Sequence, residues 1–219
     1  MQSVQKTRQR RHFIVCAAAV ALGAALGSNT ARAQGARSIL VLGDSLSAEY
    51  GLARGTGWVA LLEQRLQSLG KSVRITNASV SGDTTSGGRA RLPALLRQHQ
   101  PEVVIIELGA NDALRGLPLA GTRENLRGMV QAAQQAGAQV LLLGMQMPPN
   151  YGRRYAEEFA QIYADLAQAQ RTRLLPFFLK HVADAPQAGQ LFQADRIHPN
   201  VQAQPLLLDN VWPQLEPLL

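Results

Sequence analysis

Four short apolar runs, at residues 39–42, 73–76, 103–108 and 140–143, are β-branched or leucine-rich and do not alternate with polar residues. A strand with one face in water alternates. A strand covered on both faces does not, and parallel sheets flanked by helices cover their strands that way. The segments between the runs carry helical spacing instead: Trp58, Leu61, Leu62, Leu66 and Leu69; then Leu126, Met129, Val130 and Ala133; then Tyr155, Phe159, Ile162 and Leu166. Strand alternating with helix predicts an α/β fold, a three-layer doubly wound sandwich around a parallel sheet. A weaker strand at residues 173–175 brings the count to five, and a last helix starts near Gln204 with Pro205 in its first turn. In such a sheet the ligand crevice lies beyond the carboxyl ends of the strands. The unusual loops of this chain fall there, at residues 43–47, 79–88, 109–112 and 144–152.

The first 33 residues read as an address rather than as part of that fold. Lys6, Arg8, Arg10 and Arg11 precede an apolar stretch at residues 13–26, and Ala31-Arg32-Ala33 follows as a small-x-small cleavage site, which together make a secretory signal peptide. The stretch falls short of the roughly 20 residues that span a bilayer, so no stable anchor is expected once the leader is removed. Arg10-Arg11 fits the twin-arginine export route, but Gln9 stands where Ser or Thr is usual, and the general secretory route remains equally open. The predicted location is the periplasm or the exterior of the cell. Of the 22 Lys and Arg, five lie in the leader, which leaves 17 against 15 Asp and Glu, a mature charge of +2. Dispersed arginines at that charge remove the electrostatic case for nucleic acid. Cys16 is the only cysteine and departs with the leader, so disulfides and thiol chemistry are not expected. The remaining residues, 34–219, suit a single domain, expected to act as a monomer.

The strand at residues 39–42 empties into Gly43-Asp44-Ser45-Leu46-Ser47, and Asp195-Arg196-Ile197-His198-Pro199 stands near the other end of the chain. A serine where a buried strand stops presents its hydroxyl to the crevice, and it needs a base to become nucleophilic. His198 is the preferred base because a carboxylate, Asp195, stands three residues before it and can hold the imidazole tautomer. Taken alone, Ser45 is a helix N-cap, His198 a surface histidine and Asp195 a cap. Acyl transfer also needs donors for an oxyanion, and Gly82 after the second strand and Asn111 after the third supply a backbone N–H and a side-chain amide. Singly these two are turn residues; their arrival at successive strand ends reverses the weighting. No Gly-x-Ser-x-Gly elbow occurs, so the common α/β-hydrolase architecture loses its main support. No His-Glu-x-x-His or cysteine cluster occurs either, and neither a metal nor another cofactor is expected.

Gly43-Asp44-Ser45-Leu46-Ser47, Ser81-Gly82-Asp83-Thr84, Gly109-Ala110-Asn111-Asp112 and Asp195-Arg196-Ile197-His198-Pro199, in that order, resemble the four blocks of the SGNH, or GDSL, hydrolases. The likeness narrows to the periplasmic acyl-CoA thioesterase, lysophospholipase and arylesterase group through the segments 91–101 and 150–155, and covers essentially the whole mature chain. It implies a flavodoxin-like fold with Ser45 as nucleophile and Asp195 and His198 completing a triad. The oxyanion hole it implies consists of the N–H groups of Ser45 and Gly82 with the Asn111 amide. It further implies that the loop at 113–118, with Leu114 and Leu117, moves over an acyl groove along which Met147 and Pro148 lie. Ala110 and Arg196 replace glycines frequent in close relatives, which bears on loop mobility and substrate preference. The expected function is hydrolysis of fatty acyl esters and thioesters. A carbohydrate O-acetylesterase is the alternative on the same residues, disfavoured by the apolar Leu114, Leu117, Leu119, Met145 and Met147. A nucleotide-binding module, suggested by the glycines of residues 81–88, lacks Gly-Lys-Ser/Thr and a Gly-x-Gly-x-x-Gly after a strand.

Overall fold

The computed structural model describes residues 37–219; the expected signal peptide, its cleavage site and Cys16 lie outside the described residues. Five strands, β1 (Arg37–Gly43), β2 (Val73–Asn77), β3 (Val103–Glu107), β4 (Gln139–Leu143) and β5 (Arg173–Leu175), form one sheet in the order β2-β1-β3-β4-β5. Every pairing is parallel. Between and after them come α1 (Trp58–Ser68), α2 (Thr85–His99), α3 (Ala110–Leu114), α4 (Leu119–Gln135), α5 (Arg153–Gln170) and α6 (Gln204–Leu215). Helices α1 and α6 pack together, while α2, α4 and α5 pack in sequence with one another. Connections between parallel strands are right-handed, so stepping outward from β1 to β2 and then back across β1 to β3 sends helices to opposite faces. The reversal places a switch point between β1 and β3, and the crevice opens at their carboxyl ends.

Burial follows from that order. β1, β3 and β4 lie inside the sheet and are buried along nearly their whole length, from Ile39 to Leu42, Val103 to Ile106 and Val140 to Leu143. Each such side chain contributes about 1.5–3 kcal/mol on leaving water. β2, expected to be covered on both faces, is an edge strand and only half-buried. Leu69, expected on the apolar face of α1, is the residue that ends the helix and is 53% exposed.

Two segments expected to be loops end inside helices, residues 85–88 in α2 and 110–112 in α3. Thr84 caps α2, its hydroxyl accepting the Gly87 N–H at 3.3 Å, so Gly87 and Gly88 belong to the first turn of a helix. Gly88 has no space for a side chain, since a Cβ there would lie 2.3 Å from Leu108 Cδ1. The glycine therefore serves close packing of α2 on the sheet rather than a phosphate turn. Asn111 and Asp112 lie in the short helix α3, where Asp112 is buried and accepts the Thr85 N–H at 2.8 Å and the Thr85 hydroxyl at 2.5 Å. Among the described residues no helix is long and apolar enough to cross a membrane.

Candidate active site

The register of β1 on β3 sets Gly43 beside Glu107 at the carboxyl end of the sheet. A Cβ on Gly43 would lie 2.9 Å from both Glu107 Oε2 and Ser47 Oγ, so only glycine lets the chain leave the strand here. The turn that follows is closed by the N–H groups of Ser47 and Ala48, which donate to the Asp44 carbonyl at 3.2 and 3.0 Å. Leu46 N–H donates to Asp44 Oδ1 at 3.0 Å. Ser45 is left half-buried on a rigid support, and its N–H has no acceptor among the described residues.

The base arrives from 153 residues away. Phe192 bridges Pro199 in antiparallel fashion, and Gln193 N–H donates to the His198 carbonyl at 2.8 Å, so residues 192–199 fold back on themselves. Within this loop Asp195 Oδ1 accepts the N–H groups of Ile197 at 2.9 Å and His198 at 3.0 Å, and Asp195 Oδ2 lies 2.6 Å from His198 Nδ1. His198 Nε2 in turn lies 2.9 Å from Ser45 Oγ. The Ile197 N–H, followed by the His198 ring and N–H, pulls the Asp195 carboxyl from 3.8 down to about 2. It is thus ionised at any pH where an imidazole titrates, and its charge is available to an imidazolium. The Tyr50 ring lies against the His198 ring, centroids 4.4 Å apart. Arg196 holds φ at +58°, a left-handed conformation that costs a non-glycine residue about 1–2 kcal/mol. That strain is the local reason a glycine would suit this position.

Gly82 and Asn111 converge on the same place. Gly82 has φ +77°, its carbonyl accepts from Arg115 Nη2 at 2.8 Å, and its N–H has no acceptor among the described residues. The Asn111 amide donates to Asp44 Oδ2 at 2.9 Å and to the Asp83 carbonyl at 3.0 Å. Arg91 clamps the loops beneath: its Nε donates to Asp83 Oδ2 at 2.8 Å, while its two terminal nitrogens reach the carbonyls of Gly43, at 3.3 Å, and Ala78. Two unpaired N–H groups and a primary amide therefore stand near a hydroxyl coupled to imidazole and carboxylate. Such a set can accept an acyl group and receive the charge that forms on its oxygen.

The residues expected along an acyl groove divide into two kinds. Leu114 and Leu117 are 38% and 39% exposed at the end of α3 and just beyond it, and Pro148 is also exposed. Met145 and Met147 belong to the hydrophobic core, and Leu119 is half-buried as the first residue of α4.

Sequence reasoning passed over Asp44, Glu107, Arg91 and Tyr50. Glu107 carried a readable signal, a carboxylate at the end of an otherwise apolar strand. Burial is the main force on this pair: it raises the Asp44 carboxyl from 3.8 to about 6, and, with the Asp44 charge nearby, raises Glu107 well above its ordinary range. A carboxyl whose pKa is higher folded than unfolded stabilises fully below its unfolded value, and that contribution is lost as pH rises through the folded value. For Asp44 this window runs from about 4 to about 6 and corresponds to about 2 kcal/mol between pH 4 and pH 7. Asp195 acts in the opposite sense, its contribution disappearing only as pH falls through about 2. Urea midpoints at pH 4 and pH 7 check this: the change between them should become less negative, or more positive, in Asp44→Asn. An identical change in wild type and variant would refute it.

The profile of the GDSL-like Lipase/Acylhydrolase family matches residues 41–204. The chain is 53% identical over 184 residues to "Esterase TesA" of Pseudomonas aeruginosa, covering 84% of this chain and 90% of that one. It is 47% identical over 190 residues to "Thioesterase 1/protease 1/lysophospholipase L1" of Escherichia coli strain K12, covering 87% and 88%. Among solved structures, the psychrotrophic esterase EstA from Pseudoalteromonas, inhibited by monoethylphosphonate, superposes with a TM-score of 0.78 at 40% identity, over 83% of this chain and 97% of that one.

Proposed function

The chain belongs to the GDSL-like Lipase/Acylhydrolase family and is a hydrolase, and on that premise we propose that it cleaves fatty acyl esters and thioesters through an acyl-enzyme on Ser45. The observation that carries this reading is the continuous contact from Asp195 to His198 to Ser45, at 2.6 and 2.9 Å. His198 Nε2 takes the Ser45 proton as Oγ attacks the acyl carbon, and the carbonyl electron pair moves onto oxygen. The N–H groups of Ser45 and Gly82 receive that oxyanion together with Asn111, whose amide hydrogen on the Asp83 carbonyl is the one that turns to it. Collapse expels the alcohol or thiol, which leaves with the proton from His198. Water then repeats the sequence on the acyl-enzyme and returns Ser45.

Leu114, Leu117 and Pro148 form the exposed apolar contact for the acyl chain in this reading, with Met147 supporting them from the core. Each methylene removed from water is worth about 0.8 kcal/mol, close to fourfold in kcat/KM. With p-nitrophenyl esters, kcat/KM should climb from acetyl towards octanoyl, and Leu117→Asp should flatten the climb because a charge there is costly to desolvate. A clear preference for acetyl groups on sugars, with a profile unchanged by Leu117→Asp, would move the protein to the carbohydrate O-acetylesterase reading. The sequence of residues 1–33 supports export to the periplasm or beyond the cell, and a monomer suffices, since every proposed catalytic group comes from one chain. Cell fractionation and sedimentation of the processed protein check these two points.

A further inference from the structure

Glu107 touches none of the reacting atoms, yet it sits in the innermost part of the site, 2% exposed, at the carboxyl end of β3. Its Oε2 accepts the Ser47 hydroxyl at 2.9 Å and the Asp44 N–H at 3.3 Å, and Ser47 itself accepts the Trp58 indole N–H at 3.1 Å. Asp44, 1% exposed, has one oxygen on Leu46 N–H and the other on the Asn111 amide. The chain of contacts thus runs from a buried acid to the backbone of Asp44, next to Ser45, and from the Asp44 carboxyl to the amide of Asn111. We propose that Glu107 is a positioning residue for hydrolysis: through Asp44 it holds the Asn111 amide with its nitrogen towards the reacting carbonyl.

Two carboxyls buried this closely do not both ionise, and one proton is retained between them. Glu107 is the one that keeps it, because burial and the facing Asp44 charge together raise it well above its ordinary range. As an acid, Glu107 still accepts from Ser47 and from the Asp44 N–H, and so fixes the backbone that carries the Asp44 carboxyl. Asp44 is then the anionic partner, and its Oδ2 acts with the Asp83 carbonyl as an acceptor that selects the nitrogen end of the Asn111 amide. Gly43 permits the arrangement, because a side chain there would meet Glu107 Oε2. The inference rests on the assignment of Asn111 to the oxyanion hole.

Three variants test it by kcat and KM on p-nitrophenyl butyrate, with the thermal midpoint recorded for each. Glu107→Gln accepts and donates as the protonated acid does, and should keep kcat within about threefold. Glu107→Met, close in size but unable to hydrogen-bond, should lower kcat roughly tenfold or more at nearly constant KM, as loss of a group acting in the transition state does. In an Asn111→Ala background the same Met substitution should cost nothing further in kcat, because effects passing through one group are not additive. Should Glu107→Met fail to fold, Ser47→Ala removes one donor to Glu107 and should show the same kcat loss, smaller and again absent beside Asn111→Ala. Loss of kcat in Glu107→Gln equal to that in Glu107→Met overturns the proposal, as does full additivity with Asn111→Ala or an undiminished kcat in Glu107→Met. Normal kcat in Asn111→Ala alone would overturn the oxyanion assignment and this inference with it, whereas a low kcat there beside a normal Glu107→Met overturns only the latter.

Discussion

Ser45→Ala is expected to lower ester hydrolysis by at least about 10⁴-fold while leaving the fold intact. The hydroxyl is the attacking atom in the proposed reaction, and among the described residues no other side chain hydrogen-bonds His198 Nε2. Removing one oxygen from a half-buried turn residue opens little volume, and the lost contact with His198 is a single hydrogen bond, worth about 1 kcal/mol net. The backbone bonds that close the turn run through Asp44 and Ala48 and are untouched by the change. Two measurements check this: hydrolysis of a p-nitrophenyl ester by the purified variant, and labelling by an organophosphorus ester followed by mass spectrometry. The wild type should gain one adduct on the peptide containing Ser45, and the variant none. Near-wild-type turnover by a folded Ser45→Ala protein would remove Ser45 from the reaction.

Asn111→Ala should lower kcat by about 10²–10³-fold with little change in KM, since a donor to the oxyanion acts mainly on the transition state. The geometry adds a second, separable consequence. Asp44 is 1% exposed and its Oδ2 would lose the Asn111 amide, so the variant should also lose about 1–3 kcal/mol of stability from an acceptor left unpaired. Asn111→Asp should be worse on both counts, because it sets a second carboxylate against Asp44. Kinetics separates the two effects from each other: measured well below the unfolding midpoint, the kcat deficit persists. A large rise in KM at constant kcat would instead make Asn111 a residue that binds substrate in its ground state.

Much of this site is legible because its chemistry is locally encoded. Asp195 and His198 are three residues apart, and a turn of that length by itself brings the carboxylate onto the ring and onto two N–H groups. Ser45 follows a run whose lack of alternation already implies a strand buried on both faces, hence a turn at the crevice. The segments read as loops at residues 79–88 and 109–112 were harder, because each runs into a helix. Thr84 and Gly87 make a cap, and Asn111 sits in a five-residue helix whose Asp112 accepts from Thr85, 27 positions earlier. Turn-forming residues at a helix start and in a loop look alike until their partners are known.

The order of strand and helix, the burial of the inner strands, the serine at a strand end and the Asp195–His198 pair are properties of neighbours in the chain, and the sequence determined them alone. The strand order β2-β1-β3-β4-β5 was decided by tertiary packing, and with it the edge position of β2 and the meeting of Ser45 with a histidine 153 residues away. The pairing of Gly43 with Glu107 belongs to the same class, because register between strands separated by two helices and another strand depends on how the intervening helices pack. That register buries two carboxyls together behind Ser45 and Asn111. No local pattern specifies which acid faces which, since the energy that selects the arrangement is the cost of burying charge without a partner, and partners are assigned only when the sheet closes.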